Sequence, residues 1–134
     1  MAGTKFTKAQ SKQFRQLLIA ERIKLVEEIK SIRREASVSP REASGDLSAY
    51  TVHMADMASD TYERELSMNI ASSEQQVLYL VDDALKRLDE GAFGVCQECT
   101  RAITMSRLKA VPYAPMCITC QRSEEQKHKE QKKR

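Results

Sequence analysis

Two C-x-x-C pairs, Cys96/Cys99 and Cys117/Cys120, stand 17 residues apart in the stretch GVCQECTRAITMSRLKAVPYAPMCITC. This is the spacing of a four-cysteine zinc site. Two thiolates separated by two residues can turn toward one ion from a single tight knuckle, and two such knuckles complete a tetrahedron. Four protein ligands leave no position for water, so a zinc held this way is structural. Two other chemistries use paired cysteines. Disulfides need an oxidising compartment. A redox-active C-x-x-C needs a thioredoxin-like βαβ context. Neither has support elsewhere in the sequence. Thr100 follows the second cysteine, where small knuckles favour glycine because φ is positive. A β-branched residue is strained there, so the turn is expected to differ in detail. Pro112 and Pro115 are expected to hold VPYAP extended between the knuckles. A polar helix is predicted to start at the second knuckle.

The remainder of the chain has little to build a thick core from. Of 134 residues, 31% are charged and 5% aromatic, with no Trp. That composition suits long solvated helices. From about Gln10 to Ala36, Leu18, Leu25 and Ile32 recur every seven residues, with Phe14 and Ile29 near the same stripe. From about Asp56 or Asp60 to Glu90, Leu66, Ile70, Ser73, Val77, Val81, Ala84 and Leu88 step by three or four. Both are amphipathic helical patterns. Asp60-Thr61-Tyr62-Glu63 has the layout of a capping box, which makes Asp60 the expected N-cap. Gly91 is placed to end the second helix as its C′ residue. Between the helices, residues 37–52 hold Pro40 and Gly45, and Ser39-Pro40-Arg41-Glu42 could cap a short helical turn.

Two seams that water would otherwise wet are buried by facing one another. The fold class expected is therefore mainly α: a long antiparallel helical hairpin with coiled-coil character, a small four-cysteine zinc-finger end and a C-terminal helix. Residues 1–9 are expected to be a flexible lead. Residues 10–90 form the hairpin, with a tip around 37–60, and residues 91–134 hold the zinc finger and last helix. Helices of this length reach roughly 40 Å.

A net charge of +3 does not by itself imply nucleic-acid binding. The last eight residues carry five Lys or Arg against one acid, as solvated tails do. No apolar run is long enough for a membrane span. The start MAGTKFTKAQ lacks the apolar stretch of a secretory signal, so a cytoplasmic location is expected. His53 and His128 are the only histidines, and neither lies in a nucleophile–base arrangement. Asp82 and Asp83 point different ways around a helix and read as solvated charges. No enzyme is expected.

The order of a helix, a tip with Asp56, a second helix, GAFGVCQEC, RLKAVPYAPMCITC and a polar helix resembles the DksA/TraR family of bacterial regulators that bind RNA polymerase. The likeness runs from about residue 10 to 125 and is most specific over 91–120. It implies a monomer that inserts its coiled coil into the polymerase's secondary channel, rests its zinc end on the channel rim, and modulates initiation without sequence-specific DNA binding. The family's tip pattern, D-x-x-D-x-A, falls on His53-Met54-Ala55-Asp56-Met57-Ala58. Asp56 and Ala58 match; His53 replaces the first Asp. His53, Asp56 and Ala58 are thus the expected polymerase-contact residues. Positions that are basic in ppGpp-responsive relatives are here Ser73, Gln76, Leu80 and Val111; only Arg107 matches. Weak or absent ppGpp synergy is expected, with Arg107 the remaining basic contact.

Two other classes of function remain. A nucleic-acid-binding zinc module would use Arg101, Arg107, Lys109 and the tail, and would bind with a steep salt dependence. An interaction protein would dock the hairpin on some other helical partner.

Overall fold

A computed structural model of the chain describes residues 6–37 and 50–133; of residues 37 and 50–56 it describes the backbone alone. The described residues form four helices: α1 (Lys8–Ser37), α2 (Tyr50–Glu90), α3 (Met105–Ala110) and α4 (Ile118–Lys132). There is no strand among them, only an isolated bridge between Val95 and Ala102. The fold is mainly α, as expected. The Ser39-Pro40-Arg41-Glu42 cap lies outside the described residues.

Both long helices start earlier than their apolar patterns indicate. Thr7 caps α1: its Oγ1 accepts from Gln10 N–H (3.1 Å), and its own N–H donates to Gln10 Oε1 (3.0 Å). This is a capping box, with Gln at its third position. Phe6, just before it, packs edge-on against Phe14 and meets Phe93, with ring centroids 5.5 Å apart in each pair. Of the expected lead, residues 6–9 thus cap α1 and pack on the first unit, and residues 1–5 lie outside the described residues. In α2, Asp60 is not a cap. The helix runs through it from Tyr50, and Thr61 Oγ1 donates to Met57 O at 2.8 Å, as an interior helical threonine does. Residues 50–59 contain no Gly or Pro to stop the helix forming.

Two compact units make up the chain, Met1–Arg22 with Tyr79–Arg134, and Ile23–Leu78. In the first unit α1 and α2 run antiparallel, since Arg15 pairs with Asp89 (2.6 Å) and Arg22 with Asp82 (2.7 Å). Phe14, Leu18, Val81, Ala84, Phe93, Ile103, Leu108 and Ala114 are buried there. α2 is covered on two sides in this unit. Arg87 is itself buried, with Nε 3.2 Å from Asp83 Oδ2, and the same oxygen accepts from Gln97 Nε2. Asp82 and Asp83 are solvated as expected, with side chains 44% and 46% exposed, and both are also partnered.

In the second unit the core is thin: Leu25 and Ile29 of α1 with Ala71 and Leu78 of α2. The expected seam of α1 holds here at Leu25 and Ile29, while that of α2 fails. Leu66 and Ile70 are 49% and 45% exposed, and Ser73 is exposed too. The face that meets α1 is turned by one residue, onto Ala71, Glu74 and Leu78, because one step along a helix rotates the side chain by about 100°.

Glu74 at this seam faces Glu28, carboxyl to carboxyl, with Lys24 nearby. Burial first, then the hydrogen bond and charge of Glu28, hold the Glu74 carboxyl above the ordinary carboxylate range, while Lys24 opposes them. An acid that holds its proton more tightly when folded stabilises the fold fully below its unfolded pKa. That stabilisation is lost as pH rises through the folded pKa. Chemical denaturation of wild type and Glu74→Gln should show the wild type gaining on the variant as pH falls from neutral toward the ordinary carboxylate range. A difference that does not change with pH would contradict this account.

Candidate metal centre

The zinc segment begins where α2 is forced to stop. Gly91 takes φ +77, Ala92 N–H donates to Arg87 O (2.8 Å) and Gly91 N–H to Leu88 O (3.4 Å). This is a Schellman termination. Phe93 then enters the core, and Gly94 takes φ +85 under the ring of Phe6, where a Cβ would lie 2.6 Å from Phe6 Cε2. The first knuckle is a tight antiparallel turn. Cys96 N–H donates to Arg101 O (2.8 Å), Ile103 N–H to Gly94 O (2.8 Å) and Thr100 N–H to Cys96 O (3.0 Å).

Thr100 adopts φ 62, the only positive φ at a non-glycine among the described residues. The expected departure from the usual knuckle turn does not occur; the threonine bears the strain instead. Its hydroxyl donates to Cys99 O at 2.6 Å. A non-glycine residue in this region costs about 1–2 kcal/mol. Thr100→Gly is expected to stabilise the folded protein by up to roughly 1 kcal/mol, after the loss of the hydroxyl contact and the larger backbone entropy of glycine. Thermal melts with zinc bound would read it, and a loss of stability would refute it.

The second knuckle is anchored to the first from two sides. Gln97 N–H donates to Pro115 O (2.9 Å), and Arg107 Nε donates to Met116 O (3.0 Å). Arg107 rides on α3, which buries Leu108. The segment VPYAP is not extended throughout: Ala114 N–H closes a turn onto Val111 O (3.0 Å), with Pro112 and Tyr113 at its corner. Pro suits that corner because its φ is preset. Cys117 is the N-cap of α4, in extended conformation, so the helix begins at the second knuckle as predicted.

These connections bring Cys96, Cys99, Cys117 and Cys120 together, with their sulfurs all within 4.8 Å of one another. Cys96 is buried and the other three are half-buried. Cys99 Sγ and Cys117 Sγ are 3.7 Å apart. That is far beyond a disulfide bond, and no thioredoxin-like sheet exists among the described residues. It is close to the separation of two sulfurs each about 2.3 Å from one tetrahedral zinc, roughly 3.8 Å. Cys99 N–H points at Cys96 Sγ, 3.5 Å away. The donor set and its geometry fit one structural zinc.

The local field prepares the thiolates unequally. Burial opposes the Cys96 thiolate, but the backbone N–H groups of Cys99, Cys117 and Glu98 favour it, and its pKa falls to about 6. The backbone N–H of Cys120 lowers Cys117. Cys120, beside the Cys117 sulfur and partly desolvated, is pushed up to about 12. Metal binding must displace the protons that remain, so zinc affinity falls with pH.

Arg107 also lines an open cavity of about 390 Å³, with Leu80, Val111, Tyr113, Ile118 and Arg122 among its walls. The sequence pattern did not indicate α3 or Arg122's place in this cavity. Of the remaining predicted site residues, Ala58 is exposed on α2, while the side chains of His53 and Asp56 lie outside the described residues.

The family model for the prokaryotic dksA/traR C4-type zinc finger matches residues 91–126. General stress protein 16O of Bacillus subtilis is 30% identical over 114 residues, covering 84% of this chain and 69% of that protein. The RNA polymerase-binding transcription factor DksA of Caulobacter vibrioides is 30% identical over 76 residues, 57% of this chain and 54% of its own length. The chain spans as little as 33% of another curated relative. The structure of transcription factor DksA2 from Pseudomonas aeruginosa superposes with a TM-score of 0.68 at 28% identity, covering 91% of this chain and 88% of that one. Zinc knuckles, helices and relatives agree: the chain belongs to the DksA/TraR family.

Proposed function

We propose that this protein is a transcription regulator that binds RNA polymerase directly. It reaches into the secondary channel with the hairpin end around residues 37–60, which carries Asp56 and Ala58, while the module at residues 91–134 rests on the channel rim. It modulates initiation without sequence-specific DNA binding and without chemistry of its own. It acts as a monomer in the cytoplasm. The observation that carries this reading is the four-cysteine centre in a chain whose fold is similar to that of DksA2 over 91% of its length.

Asp56 supplies the working carboxylate at the tip. His53, in place of the family's first acid, leaves this pattern with one carboxylate fewer. The zinc holds Cys96, Cys99, Cys117 and Cys120 in one rigid fold and performs no reaction. Synergy with ppGpp is weak or absent. Leu80 and Val111, apolar where ppGpp-responsive relatives are basic, leave Arg107 and Arg122 as the cations of this cavity, with Glu125 opposing them, where a polyphosphate calls for several charged donors.

The test is in vitro transcription with the cognate polymerase. Asp56→Asn is expected to retain polymerase binding and lose most of the promoter effect, and added ppGpp should change the wild-type effect little. If binding and promoter effects both survive the substitution, Asp56 is not a working residue.

A further inference from the structure

In the second unit, α2 presents an apolar ridge that nothing in the chain's described residues covers. Ala58, Tyr62, Leu66 and Ile70 follow one another at intervals of four, which places them along one side of the helix. Tyr62 is 68% exposed, Leu66 49% and Ile70 45%. These are not the residues that hold α1, because that task falls to Ala71, Glu74 and Leu78. Large apolar side chains in a row on a long solvated helix mark a binding surface more often than isolated ones do.

The charges around the ridge select its occupant. Glu63 and Glu65 are exposed to either side of it. From residue 57 to 77 the only base is Arg64, which is half-buried on the inward stripe with Asp60 and Ser67. A second copy docked ridge to ridge would bring the same acids face to face, as like charges at an interface do at a cost. Anionic lipid and nucleic-acid phosphate are repelled for the same reason. What fits is a protein segment with apolar side chains in the middle and Lys or Arg along the edges.

We infer that the Ala58–Tyr62–Leu66–Ile70 ridge docks an apolar, basic-edged segment of the partner protein. This rests on the reading of RNA polymerase as that partner, and it extends the contact beyond the tip motif along the same helix.

The experiment measures binding of the full-length, zinc-loaded chain to cognate core polymerase. Leu66→Asp with Ile70→Asp should weaken binding by roughly tenfold or more, as loss of an apolar anchor does. Glu63→Lys with Glu65→Lys should also weaken it and flatten its salt dependence. Ile23→Asp, at a position 59% exposed on α1 and off the ridge, should leave binding unchanged. Circular dichroism checks that each variant keeps its helix. Should the double Asp variant lose helix, Tyr62→Ala carries the same test through a substitution that helices accept. Ridge variants that bind as tightly as wild type overturn the inference. So does a wild-type dimer that the ridge variants dissolve. A wild-type chain that does not bind polymerase at all overturns instead the reading on which the inference rests.

Discussion

Removing zinc is expected to unfold the segment from Cys96 to Cys120. Little else holds that segment. Its apolar core is Ile103, Leu108 and Ala114, its regular structure is the six-residue α3 and the start of α4, and its one bridge joins Val95 to Ala102. In small zinc-finger peptides the metal supplies about 10–16 kcal/mol, which appears as folding free energy. Without it the four sulfurs, all within 4.8 Å, lose the cation that offsets their crowding. Metal analysis should return about one zinc per chain. Hydrogen exchange after strong chelation should show protection lost at the amides of Cys96, Thr100, Ile103 and Leu108. Cys96→Ser should do the same at saturating zinc. Full protection in chelator would mean that the metal is not structural.

Leu18→Ala should be the most damaging single change in the helical part of the first unit. Leu18 has no exposed surface, and it lies between Phe14 and the Arg22–Asp82 ion pair, on the face that α2 covers. Truncating a fully buried leucine removes its transfer energy and leaves a cavity, at about 2–5 kcal/mol. Its neighbour Leu17 is 42% exposed, and Leu17→Ala should cost less than about 1 kcal/mol. Urea denaturation of the pair tests the placement of the face, because the two substitutions are chemically identical. Equal losses would mean that α1 is turned differently from the arrangement described.

The zinc centre was legible in the sequence because its information is local. A tetrahedral ion reads two short spacings and the length between them, and all three are printed in the chain. The α1 face was legible in both units, since Phe14, Leu18, Leu25 and Ile29 are all buried; the α2 face was legible only where burial surrounds it. Val81 and Ala84 lie in the first unit, where α2 is covered from two sides, and the apolar count found them. Leu66 and Ile70 lie where a single partner covers a single face. Periodicity identifies a stripe but not which stripe the neighbour takes, and the buried one here is carried by a small residue and an acid, Ala71 and Glu74. Helix starts failed for a related reason. Asp60 has the side chain of a cap, yet residues 50–59 offer no break before it. Thr7 and Gln10 do form a cap with Phe6 beside it, but the recurring apolar pattern begins only further along, at Phe14. Thr100 shows local preference yielding to the knuckle: the bond from its N–H to Cys96 O fixes the turn, and the residue follows.

The partnerships of the first unit also fix an order of events at the ribosome. Phe6 meets Phe93, Arg15 meets Asp89, and Arg22 meets Asp82, 60 residues further along. At about 5–20 residues per second, α1 is synthesised roughly 3–12 s before the stretch that covers it. An isolated helix of that kind is marginal in water. Phe14 and Leu18 therefore wait unshielded until α2 and the first cysteine knuckle have emerged, and metal capture comes later still, with Cys120. The nascent chain is most vulnerable to aggregation and proteolysis in that interval.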